Sequence, residues 1–201
     1  EFYPNEQSFS ATAFTLYSTC YTIKILGINA SKYYLSAKKA CQFLISYGNP
    51  GASNQIAAAI AAINIFSQLF DSDSFNDDVE TMLDGLIKSQ SSEGWTPEYG
   101  GFDVGYQSIT ISYLSDYCRL NPSKNLSDRL NKMIEFLSNF IHPDGTVGGE
   151  YCSRNTSFLA PFGFAYNINK SSKISSAIIT QLFINPNSNI NRFLDDRYIC
   201  H

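Results

Sequence analysis

Apolar residues recur at helical spacing through most of the chain. Phe9, Ala13, Leu16 and Cys20 are three or four positions apart, so they share one face of a helix. The pattern predicts this first helix from near Ser8 and seven more over residues 34–47, 53–69, 77–88, 106–120, 127–140, 156–166 and 174–183. Strand-like alternation is short and isolated, so the sequence predicts an all-α protein.

The predicted helices alternate with a period of about fifty residues. The odd-numbered helices begin near residues 8, 53, 105 and 156, at intervals of 45, 52 and 51 positions. A repeat of this kind cannot bury its apolar face alone and must stack on its neighbours. We therefore expect one domain over residues 1–201, made of helical hairpins with repeats at roughly 1–50, 51–92, 93–143 and 144–190.

The connections that enter the odd-numbered helices share their chemistry. Two of them are rich in glycine, and they carry Glu98-Tyr99 and Glu150-Tyr151 at corresponding positions. The alanine-rich third helix suits close packing, whereas the even-numbered helices carry charged faces. The sequence therefore predicts a closed or partly closed double ring of helices, with the glycine-rich loops gathered at one rim over the N-termini of the inner helices.

Composition and charge exclude several classes of function. The net charge is −4 and no run of Lys or Arg is present, so we expect no nucleic-acid partner. The longest apolar stretch, residues 56–70, is too short and too polar to predict a transmembrane segment.

The cysteines and the start of the chain bear on the compartment. Five cysteines without local pairing predict reduced core thiols, which favours a cytoplasmic location. Two isolated histidines give no zinc signature, so we expect no metal and no other cofactor. The chain begins with Glu and shows no secretory signal, which is typical of a processed or truncated piece.

Two segments resemble a known repeat motif. Gln90-x-x-x-Gly94-Trp95 resembles the Gln-x-x-x-Gly-Trp motif of the α/α-toroid superfamily, and residues 143–149 resemble its Pro-Asp-Gly-Thr-Trp-Gly variant with the aromatic residue lost. The superfamily includes terpene cyclases, protein prenyltransferase subunits and, in related toroids, polysaccharide lyases. The resemblance implies an α/α toroid. Complete toroids have more than eight helices, so it implies an incomplete ring or a fragment of a longer chain.

The sequence departs from two of these groups. Zinc-dependent prenyl transfer needs a metal-binding Asp, Cys and His, and the residues after Asp103 do not provide them. Terpene cyclases of the protonating kind use an Asp-x-Asp-Asp motif. The nearest acidic string, residues 71–78, is instead interpreted as the N-terminus of an outer helix.

The loop chemistry fits a sugar ligand, because aromatic rings stack on pyranoses while amides and carboxylates bind hydroxyl groups. By resemblance to the toroidal lyases, Tyr151 would act as base or acid, and Arg154 with Asn155 would clamp a uronate carboxylate. A pair of carboxylates suited to glycoside hydrolysis, Glu98 with Glu150 or Asp103, is an alternative. The candidate catalytic residues are Tyr151, Arg154, Asn155 and Glu150, and the candidate substrate-binding residues are Trp95, Glu98, Tyr99, Asp103, Tyr106, Gln107, Asn54 and Gln55.

Each candidate also has a structural interpretation. Trp95 would fill the gap between repeats, Glu98 and Glu150 would cap inner helices, and Arg154-Asn155 would form a turn. His142 is interpreted as a helix C-terminal residue.

Three functions follow from the sequence. The first is a carbohydrate-active protein, most like a lyase acting on a uronate-containing polysaccharide. The second is an isoprenoid cyclase or transferase, which predicts a buried Asp103 at the base of an apolar cavity. The third is a non-catalytic toroid that binds a glycan or a protein. The expected partner is a polysaccharide or another small-molecule ligand.

Overall fold

The computed structural model describes residues 7–142 and 147–167, and this part of the chain is helical without any named β-strand. It confirms the all-α prediction. The helices are α1 (Phe9–Leu26), α2 (Tyr34–Tyr47), α3 (Ser53–Phe70), α4 (Asn76–Ser89), α5 (Val104–Leu120), α6 (Lys124–Ser138) and the short α7 (Phe162–Asn167). A 3-10 turn, Ser31–Tyr33, precedes α2. The predicted eighth helix, at residues 174–183, lies outside the described residues.

Local signals set the helix ends. The Ser8 hydroxyl accepts a hydrogen bond from the Ala11 amide at the start of α1, and Gly27 ends this helix in the left-handed conformation. Asp103 and Ser123 cap α5 and α6 in the same way as Ser8. The acids of the 71–78 string lie as interpreted, with Asp77 and Asp78 in the first turn of α4.

The odd-numbered helices form a row in which α1 packs on α3, α3 on α5, and α5 on α7. Each of α2, α4 and α6 packs against the odd-numbered helix that precedes it in the chain. Lys24, near the end of α1, donates a hydrogen bond of 2.7 Å to Gln68 near the end of α3, so these two helices run in the same direction. Arg119, near the end of α5, likewise donates to the Tyr21 hydroxyl of α1 at 2.9 Å, so α1, α3 and α5 all start on the same side of the row.

Helix α3 is buried on nearly every side, and its small side chains make this possible. Residues 57–62 include five alanines and are almost wholly inaccessible to solvent. Over this helix the side chains of α1 and α5 meet, with the rings of Tyr17 and Tyr113 at 4.9 Å in an edge-to-face arrangement. The buried aliphatic faces of α4 and α6 close the other side of the core.

The seventh helix differs from the prediction. Residues 156–161 form no regular secondary structure, and the helix begins only at Phe162. Pro161 disfavours a helical conformation at the residue before it. The backbone of this segment instead binds α5, where the Ala160 amide donates to the Ser108 hydroxyl at 2.8 Å.

Candidate functional site

Two loops meet on the side of the helix row where the N-termini of α3 and α5 lie. We call residues 90–103 the first rim loop and residues 147–156 the second rim loop. Ser153 joins them, because its amide donates to the carbonyl oxygen of Phe102 at 3.0 Å and its hydroxyl donates to that of Glu98 at 2.6 Å. The two glycine-rich loops therefore lie together, as predicted, at the helix N-termini.

Glu98 fastens the first rim loop to the start of α3. Its two carboxylate oxygens accept hydrogen bonds from the Asn54 amide at 2.7 Å and from the Asn54 side chain at 2.6 Å. The carbonyl oxygen of Pro97 binds the amide and the hydroxyl of Ser53 at 3.1 and 2.8 Å. Glu98 is fully buried, and this burial, with a contribution from Asp103, raises the pKa of its carboxyl group to about 7, against the lowering effect of the Asn54 bonds.

Asp103 and Thr156 play the matching part at α5. Asp103 is fully buried and accepts from the Tyr106 amide at 3.1 Å, from the Arg154 amide at 3.1 Å, and from the amide and hydroxyl of Thr156. The Thr156 hydroxyl also accepts from the Gly105 amide at 2.7 Å. With so many donors around it, the Asp103 carboxylate holds the second rim loop on α5 and is not directed toward solvent.

One glutamine in the first rim loop and one in α5 hold the turn at Gly94. The side-chain nitrogens of Gln90 and Gln107 both donate to the carbonyl oxygen of Gly94, at 3.1 and 3.2 Å. Gln90 also donates to the carbonyl oxygen of Arg129 in α6 at 3.1 Å, and Gln107 accepts from the amide and hydroxyl of Thr96. The segment from Gln90 to Gly94 thus ties the first rim loop to α6.

Trp95 is partly buried beside this turn. Its amide and carbonyl group bind Ser91, and its indole nitrogen donates to Glu93 at 3.1 Å. The indole polar group is therefore occupied within the loop, and the ring remains partly accessible on the rim.

Tyr99 is an exposed side chain of the rim that two neighbouring side chains hold in place. It is 43% exposed and has a left-handed backbone with φ of 50°. The Gln55 side chain donates to its hydroxyl at 2.5 Å, and the Arg154 guanidinium lies 4.0 Å from its ring centre. Tyr106 follows at a ring distance of 6.1 Å. These four residues, all predicted from the sequence, form one continuous surface, which we call the Tyr99 platform.

Tyr151 lies on the other part of the second rim loop, against the segment that follows α6. Its ring stacks on Phe140 at 5.7 Å, and its hydroxyl lies 3.2 Å from the Nε2 atom of His142. His142 is therefore not a helix C-terminal residue, because α6 ends at Ser138. Burial raises the pKa of the Tyr151 hydroxyl above its ordinary value, although the side chain is 47% exposed.

Glu150 does not have the helix-capping role suggested for it, whereas Asn155 has the turn role suggested as its structural interpretation. Glu150 is exposed in a turn, whereas Glu98 is buried, so the two aligned glutamates do not cap helices in the same way. Asn155 has a φ of 52°, and its side-chain nitrogen can donate to the carbonyl oxygens of Gly149 and Cys152 at 3.2 and 2.7 Å. It stabilises the turn of its own loop.

The candidates thus fall into two groups. The exposed or partly exposed ones are Tyr99, Arg154, Tyr106, Gln55, Trp95, Tyr151 and Glu150, and the ones engaged in holding the loops are Glu98, Asp103, Gln107, Asn54 and Asn155. Sequence reasoning missed the partnership of His142 with Tyr151. It also missed Ser153 and Thr156, because a lone hydroxyl residue carries no pattern that reveals its partner.

Two cavities lie between the helices, and the second of them reaches the first rim loop at Pro97. One, of about 270 Å³, runs between α1 and α2, and the other, of about 330 Å³, lies among α2, α3 and α4. Asp103 lines neither of them, so these cavities give no support to an acid at the base of an apolar isoprenoid pocket.

Residues 7–142 and 147–167 contain neither a metal-binding cluster nor a membrane-spanning helix. Within these ranges no group of three or more His, Cys, Asp or Glu side chains is arranged to hold a metal ion. No helix in them has the length and apolar character needed to cross a bilayer. Four cysteines in these ranges, Cys20, Cys41, Cys118 and Cys152, are buried and free, as predicted.

Comparison with known proteins assigns no family to the chain. No protein-family model, curated protein or solved structure matches it significantly.

Proposed function

We propose that the protein is a carbohydrate-active enzyme whose two rim loops bind a uronate-containing polysaccharide and cleave it by elimination. The observation that carries this proposal is the contact between the Tyr151 hydroxyl and His142 Nε2 at 3.2 Å, in the same loop as Arg154. Three residues of chain span at most about 11 Å. The Cα atoms of Tyr151 and Arg154 therefore lie at most about 11 Å apart, which would let a proton-transferring pair and a cation contact one short stretch of a bound polysaccharide.

The elimination needs three tasks, and the rim has a residue for each. A cation must neutralise the uronate carboxylate so that the proton on the neighbouring carbon becomes acidic, and Arg154 is suited to this by bidentate binding. A base must remove that proton, and an acid must protonate the leaving glycosidic oxygen as the carbon–carbon double bond forms.

The environment of Tyr151 suggests how the acid and base roles divide. Its raised pKa keeps the phenol protonated at neutral pH, which suits an acid that donates to the leaving oxygen. His142, in contact with it, is then the base. Because the two groups touch, they act on the same face of the sugar, so we expect a syn elimination.

The helix arrangement is also consistent with the proposed fold. Inner helices that run in one direction, each backed by an outer helix, are the building units of an α/α toroid, and they place consecutive loops on one rim. We propose that the described helices form an arc of such a ring.

The test is a screen of uronate polysaccharides for the ultraviolet absorbance of the unsaturated product. We expect Tyr151→Phe to lower kcat by at least about a hundredfold, the usual contribution of a general acid or base, with KM little changed. Tyr47→Phe is the matched control, because Tyr47 is 48% exposed at the end of α2. Absence of product from every polymer, or full activity of Tyr151→Phe, would overturn the proposed chemistry.

A second candidate is glycan binding without catalysis, and the Tyr99 platform favours it. An aromatic ring held by Gln55 on its hydroxyl and by Arg154 on its face is pre-organised to stack on a sugar. In this case Tyr99→Ala abolishes binding to an immobilised polysaccharide, and no polymer yields an unsaturated product. Product formation would reject this candidate.

A further inference from the structure

A second surface stands out at the end of the molecule opposite the rim. Ile25, Leu26, Ile28, Tyr33 and Leu35 are all at least 37% exposed, and Leu26 and Leu35 reach 66% and 71%. They lie where α1 turns into α2, and we call them the α1–α2 tip. These five large apolar side chains are exposed within eleven consecutive positions. Single exposed apolar residues are normal on a protein surface, but a cluster of this kind indicates an interaction site.

The conformation of the turn holds these side chains outward. Gly27 ends α1 with φ of 61°, and the Ile28 amide donates to the carbonyl oxygen of Ile23 at 3.1 Å. The turn is thus closed by its own backbone hydrogen bonds. The exposure of Leu26 and Ile28 is built into a defined turn.

Positive charge surrounds the tip. Lys24, Lys32, Lys38 and Lys39 lie within sixteen positions of one another, and residues 7–70 contain no Asp or Glu. This segment therefore has a formal charge of +4, whereas the whole chain has −4, which leaves −8 for the remaining residues. The contacts of these lysines are with neutral groups: Lys24 donates to Gln68, and Lys32 and Lys38 lie over the rings of Tyr33 and Tyr34.

Acids on the elements beside the α1–α2 hairpin belong to α5, where Asp116 is paired with Arg119, and to the next hairpin. Asp71 and Asp73 follow the end of α3, and Asp77 and Asp78 begin α4. These four acids make the charge at this end of the molecule asymmetric. The α1–α2 turn is basic and apolar, whereas the α3–α4 turn is acidic. An anionic planar surface would therefore be approached by the α1–α2 turn and not by the whole end face.

The apolar surface continues inward from the tip. The cavity of about 270 Å³ between α1 and α2 is lined by Ile23 and Tyr33 near the tip and by Ala11 and Thr12 near the start of α1. Twelve residues of helix separate the two ends of this lining on α1, which corresponds to about 18 Å. Small side chains such as Ala37 and Ala40 line its α2 side.

We propose that the α1–α2 tip docks on a membrane surface that contains anionic lipids. Apolar side chains on a turn enter the boundary of the acyl chains, while flanking lysines bind the negative headgroups, and neither contribution requires a spanning helix. The rim loops then face away from the bilayer, since α3 separates the two ends by about 27 Å. This inference does not depend on the proposed enzymatic function.

The experiment is co-sedimentation of the 201-residue chain with two kinds of vesicle, phosphatidylcholine alone and phosphatidylcholine mixed with phosphatidylserine. We expect binding to the mixed vesicles, weakened by salt, and little binding to the neutral ones. Lys32→Glu should weaken the binding at least about fivefold, as expected for the loss of one basic residue near a charged surface. Lys88→Glu, an exposed lysine in the last turn of α4 at the rim end, is the matched control.

The double variant Ile25→Ser/Leu26→Ser tests the apolar contribution. It should abolish sedimentation while leaving the helical circular dichroism spectrum unchanged, and Tyr47→Ser should bind like the wild type. The fluorescence of Trp95, the single tryptophan, should not shift on binding, because Trp95 lies on the rim.

Three results would overturn the proposal. They are the absence of binding to mixed vesicles, binding that the tip variants leave unchanged, and a blue shift of the Trp95 emission that places the rim on the lipid. Dimers in solution that the double variant dissociates, with no vesicle binding, would assign the tip to a second copy of the chain.

Discussion

Glu98 provides a sharp test of how the first rim loop is held. Its carboxylate is fully buried, and it is held by the backbone amide and side chain of Asn54 and by the side chain of Thr110, with no cation among the causes of its pKa shift. Replacement of Glu98 with Gln keeps the size of the side chain. It also keeps its hydrogen bonds, because the side-chain amide of Asn54 can turn so that its oxygen accepts from the new side-chain nitrogen. The substitution removes only the charge.

The shift in pKa sets the size and the sign of the effect. The pKa of Glu98 rises from its ordinary value of 4.5 to about 7 in the folded state. Below pH 4.5 the group is protonated in both the folded and unfolded states, so burial of a charge costs nothing there. As the pH rises to about 7 the unfolded state loses its proton first, and the folded state becomes less stable by about 3 kcal/mol.

The assay is urea unfolding of the wild type and Glu98→Gln at several pH values between 4 and 8, a range set by the two pKa values. The free energy of unfolding of the wild type should fall relative to that of the variant by about 3 kcal/mol across this range, which is a difference of one to two molar in the urea midpoint for a typical m-value. Subtraction of the variant cancels every other titrating group. Parallel pH profiles for the two proteins would refute the reasoning, because they would mean that Glu98 titrates in the same range folded and unfolded.

Two further predictions concern Gly94 in the first rim loop and Asp116 in α5. Gly94→Ala should lower the free energy of unfolding by at least about 3 kcal/mol, because the new methyl group would collide with the carbonyl oxygen of Lys132. Gly100→Ala is the control: Gly100 is also at positive φ but has open space around it, so this substitution should cost only about 1 kcal/mol, and similar urea midpoints for both variants would contradict the prediction. Asp116→Asn should destabilise by about 2 kcal/mol, because Asp116 is almost fully buried and its 2.7 Å ion pair with Arg119 is lost. Since Arg119 remains partly in water, a loss above about 5 kcal/mol in thermal or urea unfolding would contradict that estimate.

The helices were predictable because their signals are local. The apolar face of α1 and the alanine-rich sequence of α3 can be recognised from a few consecutive turns. The seventh helix was predicted too long because its apolar residues, including Leu159 and Ala160, are also compatible with a segment that has no regular secondary structure. Pro161 was the available signal, and it outweighed the periodicity.

The equivalence of Glu98 and Glu150 shows the limit of reasoning from repeats. Both stand before a tyrosine after a glycine-rich segment, and the alignment gave them one role. In the structure Glu98 binds α3 from 44 positions away, whereas the corresponding hold on α5 is made by Asp103 and Thr156. Repeats conserve the position of a loop over a helix N-terminus, but different side chains can satisfy the exposed amides there.

The rim loops explain why residue type alone does not separate a binding residue from a structural one. Tyr99 and Glu98 are neighbours in the chain, and both are residue types suited to sugar binding, but one is exposed and the other is buried. The buried member fixes the backbone, and the left-handed conformation at Tyr99 then directs its ring outward, where Arg154 covers it. A loop that uses some of its polar residues as anchors can hold the others rigidly without a ligand. If the rim binds glycans, variants of Glu98 that loosen the loop should therefore weaken binding without touching the sugar, and the loss should follow the increase in backbone motion at Tyr99.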